Sequence, residues 1–277
     1  MEKNISFKCK RLENILKELE SVVLAYSGGV DSSFLLAVCS RVLPGRVIAV
    51  TASSSSYPDR ELKQATRFAR QIKVRHIIIR TNELRDENYV QNPTNRCYYC
   101  KRELFTRLDE IRKKHRIQHI IDGSNIDDES DFRPGNVANK EFGVRSPLKE
   151  AGLIKNDIRV LSKRLNLSSW SNPSFACLSS RIPYNTKIDS KTLARIEKAE
   201  DFLISLGFRQ VRVRNFGNLA KIEVDKHKID RLVTKSQSHK VTSYLKKLGY
   251  KHITVDLEGY RVGSLNQSIG KNKVKVK

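Results

Sequence analysis

At 277 residues the chain is long enough for two domains, or for one large domain with a small companion, each able to bury a core. Its formal net charge of +23 at pH 7 points to an acidic partner: a nucleotide, a nucleic acid or another phosphorylated ligand. Apolar residues make up 39% of the chain in regular runs that never reach membrane-spanning length, which excludes disordered and membrane-embedded classes, and five cysteines, an odd number, exclude a disulfide scaffold.

The opening "MEKNISFKCKRLENILKELE" reads as an amphipathic helix, not as the apolar centre of a signal peptide, so a cytoplasmic location with reduced thiols is expected. The first half then alternates. "SVVLAYS" predicts a strand and "DSSFLLAVCSRVL" a helix; "RVIAVTA" and "DRELKQATRFARQI" repeat the pair. "VRHIIIRT" predicts a third strand, "KRELFTRLDEIRKKH" a helix and "IQHIIDGSN" a fourth strand. Such alternation predicts an α/β fold, a parallel sheet with helices on both faces, whose ligands bind beyond the carboxyl ends of the strands. From about Ser190 the pattern changes: "KTLARIEKAEDFLISLGF" is helical, "RQVRVRN" and "LAKIEVD" form a hairpin about "FGN", two helical pieces follow, and "KHITVDLEGY" closes as a strand. The expected organisation is residues 1–170 as the nucleotide-binding domain, 171–189 as a linker carrying Cys177, and 190–277 as a small α+β domain.

"YSGGVDSS" falls at the first strand-to-helix turn. Gly28 and Gly29 let backbone amides approach a phosphate, the helix presents its positive end, and Ser27 and Ser32 can donate hydroxyl hydrogen bonds. Asp31 can help to hold Mg²⁺. The bland alternative is a glycine turn with a capping Asp or Ser, but the full S-G-G-x-D-S in this position is more specific. It is neither a Walker loop nor the dinucleotide fingerprint. It resembles the PP-loop of the ATP pyrophosphatases, which implies cleavage of ATP between its α- and β-phosphates. Ser53, after the second strand, and Gly123, after the fourth, join Ser27, Gly28, Gly29, Asp31 and Ser32 as expected nucleotide contacts.

"NRCYYCKR" puts Cys97 and Cys100 at the start of a helix among Arg96, Lys101 and Arg102, which favours thiolates. Cys177 lies beside Arg181 in the linker, Cys39 is on an apolar helix face and reads as core, and Cys9 is incidental. A redox pair, a structural zinc site, a [4Fe-4S] cluster on three thiolates and inert buried thiols all compete for Cys97, Cys100 and Cys177. Zinc would want a fourth ligand, and His115 and His119 read as helix-end and strand residues. Three thiolates suit a cluster with one open iron.

Beyond the loop, "DGSNIDDESDFRPG" (Asp122 to Gly135), "RSPLKEAGLIKNDIRVLSKRLNL", "ACLSSRIPY", "VRVRN" and "VDLEGYRVGSLNQ" together resemble the LarE family, from about Leu12 to Gln267. That family comprises ATP-dependent sulfur transferases that build the nickel-pincer nucleotide of lactate racemase. The resemblance implies ATP and Mg²⁺, a phosphorylated pyridinium dicarboxylate mononucleotide as substrate, adenylation of a carboxylate and replacement of AMP by sulfur. It also implies a homo-oligomer. Some members sacrifice a cysteine at the position of Cys177; others hold a [4Fe-4S] cluster on three cysteines. With Cys97, Cys100 and Cys177 all present, this chain resembles the cluster type, with Cys177 and Asp31 the expected catalytic groups.

At strand spacing Arg212 and Arg214 share a face, suited to gripping a substrate phosphate. Glu200, Glu223 and Asp230 could line that region, or be solvated carboxylates. Asp127, Asp128, Asp131 and Arg133 lie at the ligand edge. The chain departs from the family pattern with Asn185 where Gly is expected, Lys221 for Arg and Val262 for Ser. The rival readings are an iron–sulfur tRNA thiolase with a PP-loop, toward which the net charge points, and a non-catalytic nucleotide sensor with structural zinc. The "DLEGYRVGSLNQ" terminus and the D-G-x-N segment favour the mononucleotide over nucleic acid.

Overall fold

The computed structural model describes residues 2–129, 134–173, 176–261 and 263–264. It has two compact units, residues 1–86 with 94–175 and residues 87–93 with 176–277.

In the first unit α1 (Glu2–Leu19) precedes β1 (Val22–Ala25), followed by α2 (Val30–Val42), β2 (Val47–Ser53), α3 (Asp59–Gln71) and β3 (Arg75–Arg80). The short α4 (Glu87–Val90) belongs to the second unit. The chain then returns for α5 (Arg96–Lys114), β4 (His119–Ile121), α6 (Gly135–Glu141), α7 (Pro147–Glu150) and α8 (Lys155–Arg164). α5 starts early enough to include both Cys97 and Cys100. The last three helices occupy a stretch whose mixed polarity predicts no element.

The strands run parallel in the order β3-β2-β1-β4, with Val22 in register with Val47 on one side and His119 on the other. Alternation along β1 divides the core. Val22 and Leu24 pack with Leu12, Phe34, Leu35 and Ile158, from α1, α2 and α8. Val23 turns to the other face with Ile48, Val50, Phe105, Leu108 and Ala138. This is the expected α/β fold. Strand order reverses at β1, because the chain leaves it for β2 on one side while β4 arrives on the other. The loops leaving β1 and β4 therefore flank the crevice in which sheets of this kind bind ligands.

The second unit holds a 3₁₀ turn (Leu178–Arg181), α9 (Ser190–Ser205), β5 (Val211–Phe216), β6 (Leu219–Val224), α10 (Ile229–Val233), α11 (Lys235–Lys247) and β7 (His252–Val255). β5 and β6 form the expected antiparallel hairpin, and β7 lies parallel to β6. Asp189 caps α9 by accepting from the Thr192 amide at 2.8 Å. Val211, Val213, Ile222, Leu203, Phe208 and Leu245 form its core. Residues 87–93 are tied in by the Ile188 amide donating to Val90 O (2.9 Å), the Asn185 amide to Asn92 O (2.9 Å) and Asn92 Nδ2 to Pro183 O (2.8 Å). Asn185, where the family pattern expects Gly, has φ +63°, a left-handed conformation that Asn tolerates better than most residues. Among the described residues no helix is long and apolar enough to cross a membrane.

Leu24 is fully buried at the centre of the sheet. Leu24→Ala is expected to cost the first unit about 3 kcal/mol, from lost burial and the cavity left behind, read by urea denaturation. A loss near zero would contradict the close packing of β1.

Candidate active site

The expected phosphate loop depends on Gly28 more than on Gly29. Gly28 has φ +68°, and a Cβ there would lie 2.8 Å from Ala65 Cβ of α3. Gly29 is extended and precedes α2, whose first turn has no side-chain cap. Uncapped amides at the end of a 13-residue helix carry the partial positive charge that favours an anion. Ser27 is exposed, its Oγ 3.1 Å from Ser32 Oγ, and Tyr57 OH donates to Ser27 O at 2.8 Å.

Asp31 points into the same end of the sheet. One carboxylate oxygen is ion-paired with Lys155 Nζ at the start of α8. The other, Oδ1, is buried with no hydrogen-bond partner. Burial pushes the Asp31 carboxyl up from its ordinary range, opposed by Lys155. An unpartnered buried carboxylate oxygen is a ligand that a hard cation such as Mg²⁺ would satisfy, so this residue fits the expected ion. Lys155, within "GLIKNDIRV", is a lone lysine in a basic chain and carries no local signal; only the fold brings it to Asp31.

The loop after β4 closes on the phosphate loop. A Cβ on Gly123 would lie 3.0 Å from the Ser32 amide nitrogen. Asp122 is buried and fully engaged, accepting from Ser124 N (3.1 Å), Ser124 Oγ (2.7 Å), Ser146 Oγ (2.7 Å) and Asn139 Nδ2 (2.6 Å). Asp128 accepts from the Asn125 amide (3.0 Å) and Asp127 from the Lys155 amide (2.9 Å), so these acids brace the loop. Asp131 and Arg133 lie outside the described residues, as does Val262. Ser53 ends β2 at the same edge, where its carbonyl accepts from Thr81 N at 3.1 Å.

Cys97 and Cys100 lie one turn apart at the start of α5, Cys97 exposed and Cys100 half-buried. Cys100 Sγ is 3.6 Å from Oε1 of buried Glu83, which also accepts from Ser54 (3.1 Å) and Thr81 (3.3 Å). Tyr98 packs against the core, and Arg102 lies over the Tyr98 and Tyr99 rings at 5.7 and 5.8 Å.

Cys177 belongs to the second unit, where it precedes the 3₁₀ turn and is half-buried. Its main chain is held firmly. Arg181, 1% exposed, donates to Ala176 O (2.8 Å) and Cys177 O (2.9 Å), and its other nitrogens pair with Glu200 at 2.8 and 3.0 Å. Arg214 pairs with Glu223 (3.0 and 2.7 Å) and donates to Ser180 O (2.7 Å). Arg212 lies over the Tyr260 ring at 5.0 Å, its pKa lowered to about 10 chiefly by burial. Glu200 and Glu223 are thus partners of arginines, Asp230 is exposed on α10, and Lys221 pairs with Asp256 at 2.9 Å. The donor chemistry of Cys97, Cys100 and Cys177 suits an iron–sulfur cluster, but among the described residues no three acidic, cysteine or histidine side chains form a preassembled metal group.

Residues 5–102 match the NAD synthase family. Nearly the whole chain is similar to three proteins. It is 40% identical over 264 residues to an uncharacterized protein of Synechocystis sp., covering 95% of this chain and 98% of that one. It is 36% identical over 259 residues to the pyridinium-3,5-bisthiocarboxylic acid mononucleotide synthase of Lactiplantibacillus plantarum, covering 92% of each. It is 29% identical over 257 residues to an uncharacterized protein of Methanocaldococcus jannaschii, covering 92% and 97%.

The two loop glycines differ in what they tolerate. Gly28→Ala is expected to cost at least about 1–2 kcal/mol from its left-handed backbone alone, before the contact with Ala65 is relieved. Gly29→Ala, whose Cβ would meet only Ser27 Oγ at 3.5 Å, should change stability by less than about 0.5 kcal/mol. Equal denaturation midpoints for the two variants would contradict this loop geometry.

Proposed function

Because the chain belongs to the LarE family of the PP-loop superfamily, we propose that it is an ATP-dependent sulfur transferase acting on pyridinium-3,5-biscarboxylic acid mononucleotide. The observation that carries the ATP-dependent step is the buried, unpartnered Asp31 oxygen at the uncapped start of α2, beside two serine hydroxyls and Lys155.

In this reading the α2 amides with Ser27 and Ser32 hold the phosphates, and Asp31 would hold a Mg²⁺ whose charge would offset theirs. Lys155 exchanges its carboxylate partner for phosphate oxygens. A substrate carboxylate oxygen attacks the α-phosphorus, the bond to the β-phosphate oxygen breaks, and pyrophosphate leaves. The acyl-adenylate carbonyl is then attacked by sulfur, AMP departs, and a thiocarboxylate remains. Exclusion of water protects the adenylate from hydrolysis during this interval. Cys97, Cys100 and Cys177 are the proposed ligands of a [4Fe-4S] cluster. When bound, a cluster with an open iron supplies a sulfide nucleophile without consuming a cysteine. Arg212 and Arg214 are the proposed contacts of the substrate phosphate. Arg214 would keep Glu223 as its counter-ion while doing so, and would have to exchange its contact with Ser180 O or Ser264 Oγ for a phosphate oxygen.

The direct test is incubation with ATP, Mg²⁺ and the dicarboxylate mononucleotide, following AMP, pyrophosphate and the mass of the product. AMP and pyrophosphate released only with substrate, together with the mass increase of oxygen-to-sulfur exchange, is the expected result. The net charge of +23 favours one second reading, a tRNA thiolase, and tRNA binding with a steep salt dependence would support it instead.

Anaerobically purified protein should carry about four iron and four acid-labile sulfide per chain, lost in Cys97→Ala. Absence of iron, with Cys177 losing its sulfur during turnover, would replace the cluster by a sacrificial cysteine. Lys155→Met should weaken Mg·ATP binding by about tenfold or more in calorimetry, roughly 1.4 kcal/mol, and unchanged affinity would remove Lys155 from the phosphate site.

A further inference from the structure

The turn that carries Cys97 and Cys100 is joined to the phosphate loop by a continuous set of polar and close-packed contacts within the first unit. Lys101 follows Cys100 directly, and its stem crosses Gly135, where a Cβ would lie 2.6 Å from Lys101 Cδ. Its Nζ donates to Asn139 Oδ1 at 2.9 Å and lies 3.7 Å from Asp122 Oδ2. Asn139, 8% exposed, donates in turn to Asp122 Oδ2 at 2.6 Å. Asp122 is followed by Gly123, whose Cα faces the Ser32 amide so closely that a Cβ would sit 3.0 Å from it. The Ser32 amide belongs to the first turn of α2, the uncapped end at which the reading above places a phosphate.

We propose that Lys101 is a positioning residue that couples occupancy of the phosphate loop to the placement of the Cys97–Cys100 turn. The inference rests on the reading above that the loop binds ATP. Close packing makes the connection discrete: a shift of the Ser32 amide on phosphate binding displaces Gly123, and Asp122 moves with it. Asp122 already accepts four hydrogen bonds, so its displacement is transmitted to Asn139 and the Lys101 ammonium instead of being absorbed by water. Lys101 is rooted on α5 one residue beyond Cys100, so the first turn of α5 responds. Adenylation and sulfur delivery must follow one another, and a link of this kind lets the thiol turn register that nucleotide is present.

Coupling of this kind is reciprocal and can be read without turnover. The experiment uses the full-length, reduced, metal-free chain and α,β-methylene ATP with Mg²⁺, which occupies the loop but is not cleaved between the α- and β-phosphates. Nucleotide binding is measured by calorimetry, and alkylation rates of Cys97 and Cys100 by iodoacetamide with peptide mass spectrometry, with Cys9 as internal reference. In wild type the nucleotide should change the Cys97 and Cys100 rates several-fold and leave Cys9 unchanged. In Lys101→Met the nucleotide should still bind, but the rates should no longer respond; Lys101→Arg should restore part of the response. A merely structural role would move the basal rates and not the ratio with and without nucleotide. Asn139→Ser cuts the same connection at its other joint and should uncouple equally, which keeps the test open if Lys101→Met does not fold. Binding without any thiol response in wild type overturns the coupling alone. A response that survives in both Lys101→Met and Asn139→Ser also overturns it, because the effect then travels by another route. Failure of wild type to bind the nucleotide overturns the ATP reading and the coupling with it.

Discussion

The reversal of strand order at β1 is the constraint on which the first unit depends. It sends the chain to β2 on one side and receives β4 on the other, so the two loops at that point approach each other from strands that are neighbours in the sheet but nearly a hundred residues apart in sequence. They meet without side chains in between: Gly123 against the Ser32 amide, and Gly28 against Ala65 on the flank. Ser27 is exposed beside that crevice, while Asp31 is half-buried with its Oδ1 closed off from solvent. A charge in that position is held by one lysine and left incomplete on its other oxygen, the arrangement expected of a site completed by its ligand.

The second unit handles charge differently. Arg181 with Glu200, and Arg214 with Glu223, are ion pairs whose side chains are at most 7% exposed. Desolvation makes such pairs poor contributors to net stability compared with apolar residues of the same volume. Their geometry shows what they provide instead. Arg181 spends its remaining nitrogen on the carbonyls of Ala176 and Cys177, and Arg214 on that of Ser180. A short irregular segment with few backbone partners of its own is thereby given one conformation, and the Cys177 side chain is presented from a fixed main chain.

Much of this was legible beforehand. Alternating apolar runs announced every strand of both sheets, because burial on a sheet leaves a pattern within a few residues. The S-G-G-x-D-S turn was legible because left-handed backbone and close approach demand glycine. Other features left no such trace. Residues 87–93 join the second unit through backbone carbonyls, the Asn92 amide and the Tyr89 hydroxyl, 2.6 Å from Ser179 Oγ, contacts across about ninety residues that leave no local pattern. The helices between Gly135 and Arg164 are short and interrupted, so periodicity had no length over which to show. Arg212 and Arg214 did alternate on one strand face, but their burial and the carboxylate of Glu223 come from a neighbouring strand and could not be read from "VRVR".

From the chain alone one reads the class of fold, through strand and helix runs that alternate over its first half, and the glycine turn and the Cys97–Cys100 pair, each within a few residues. Which charges meet is settled by packing. Lys155 stands 124 residues from Asp31, Glu200 lies 19 beyond Arg181, and Lys101 reaches Asn139 across 38. These pairings depend on how helices pack across a sheet, and an ion pair between distant residues imposes no spacing that a reader of the chain could detect. The same charged residue is a solvated surface group or a buried partner according to what the fold brings against it.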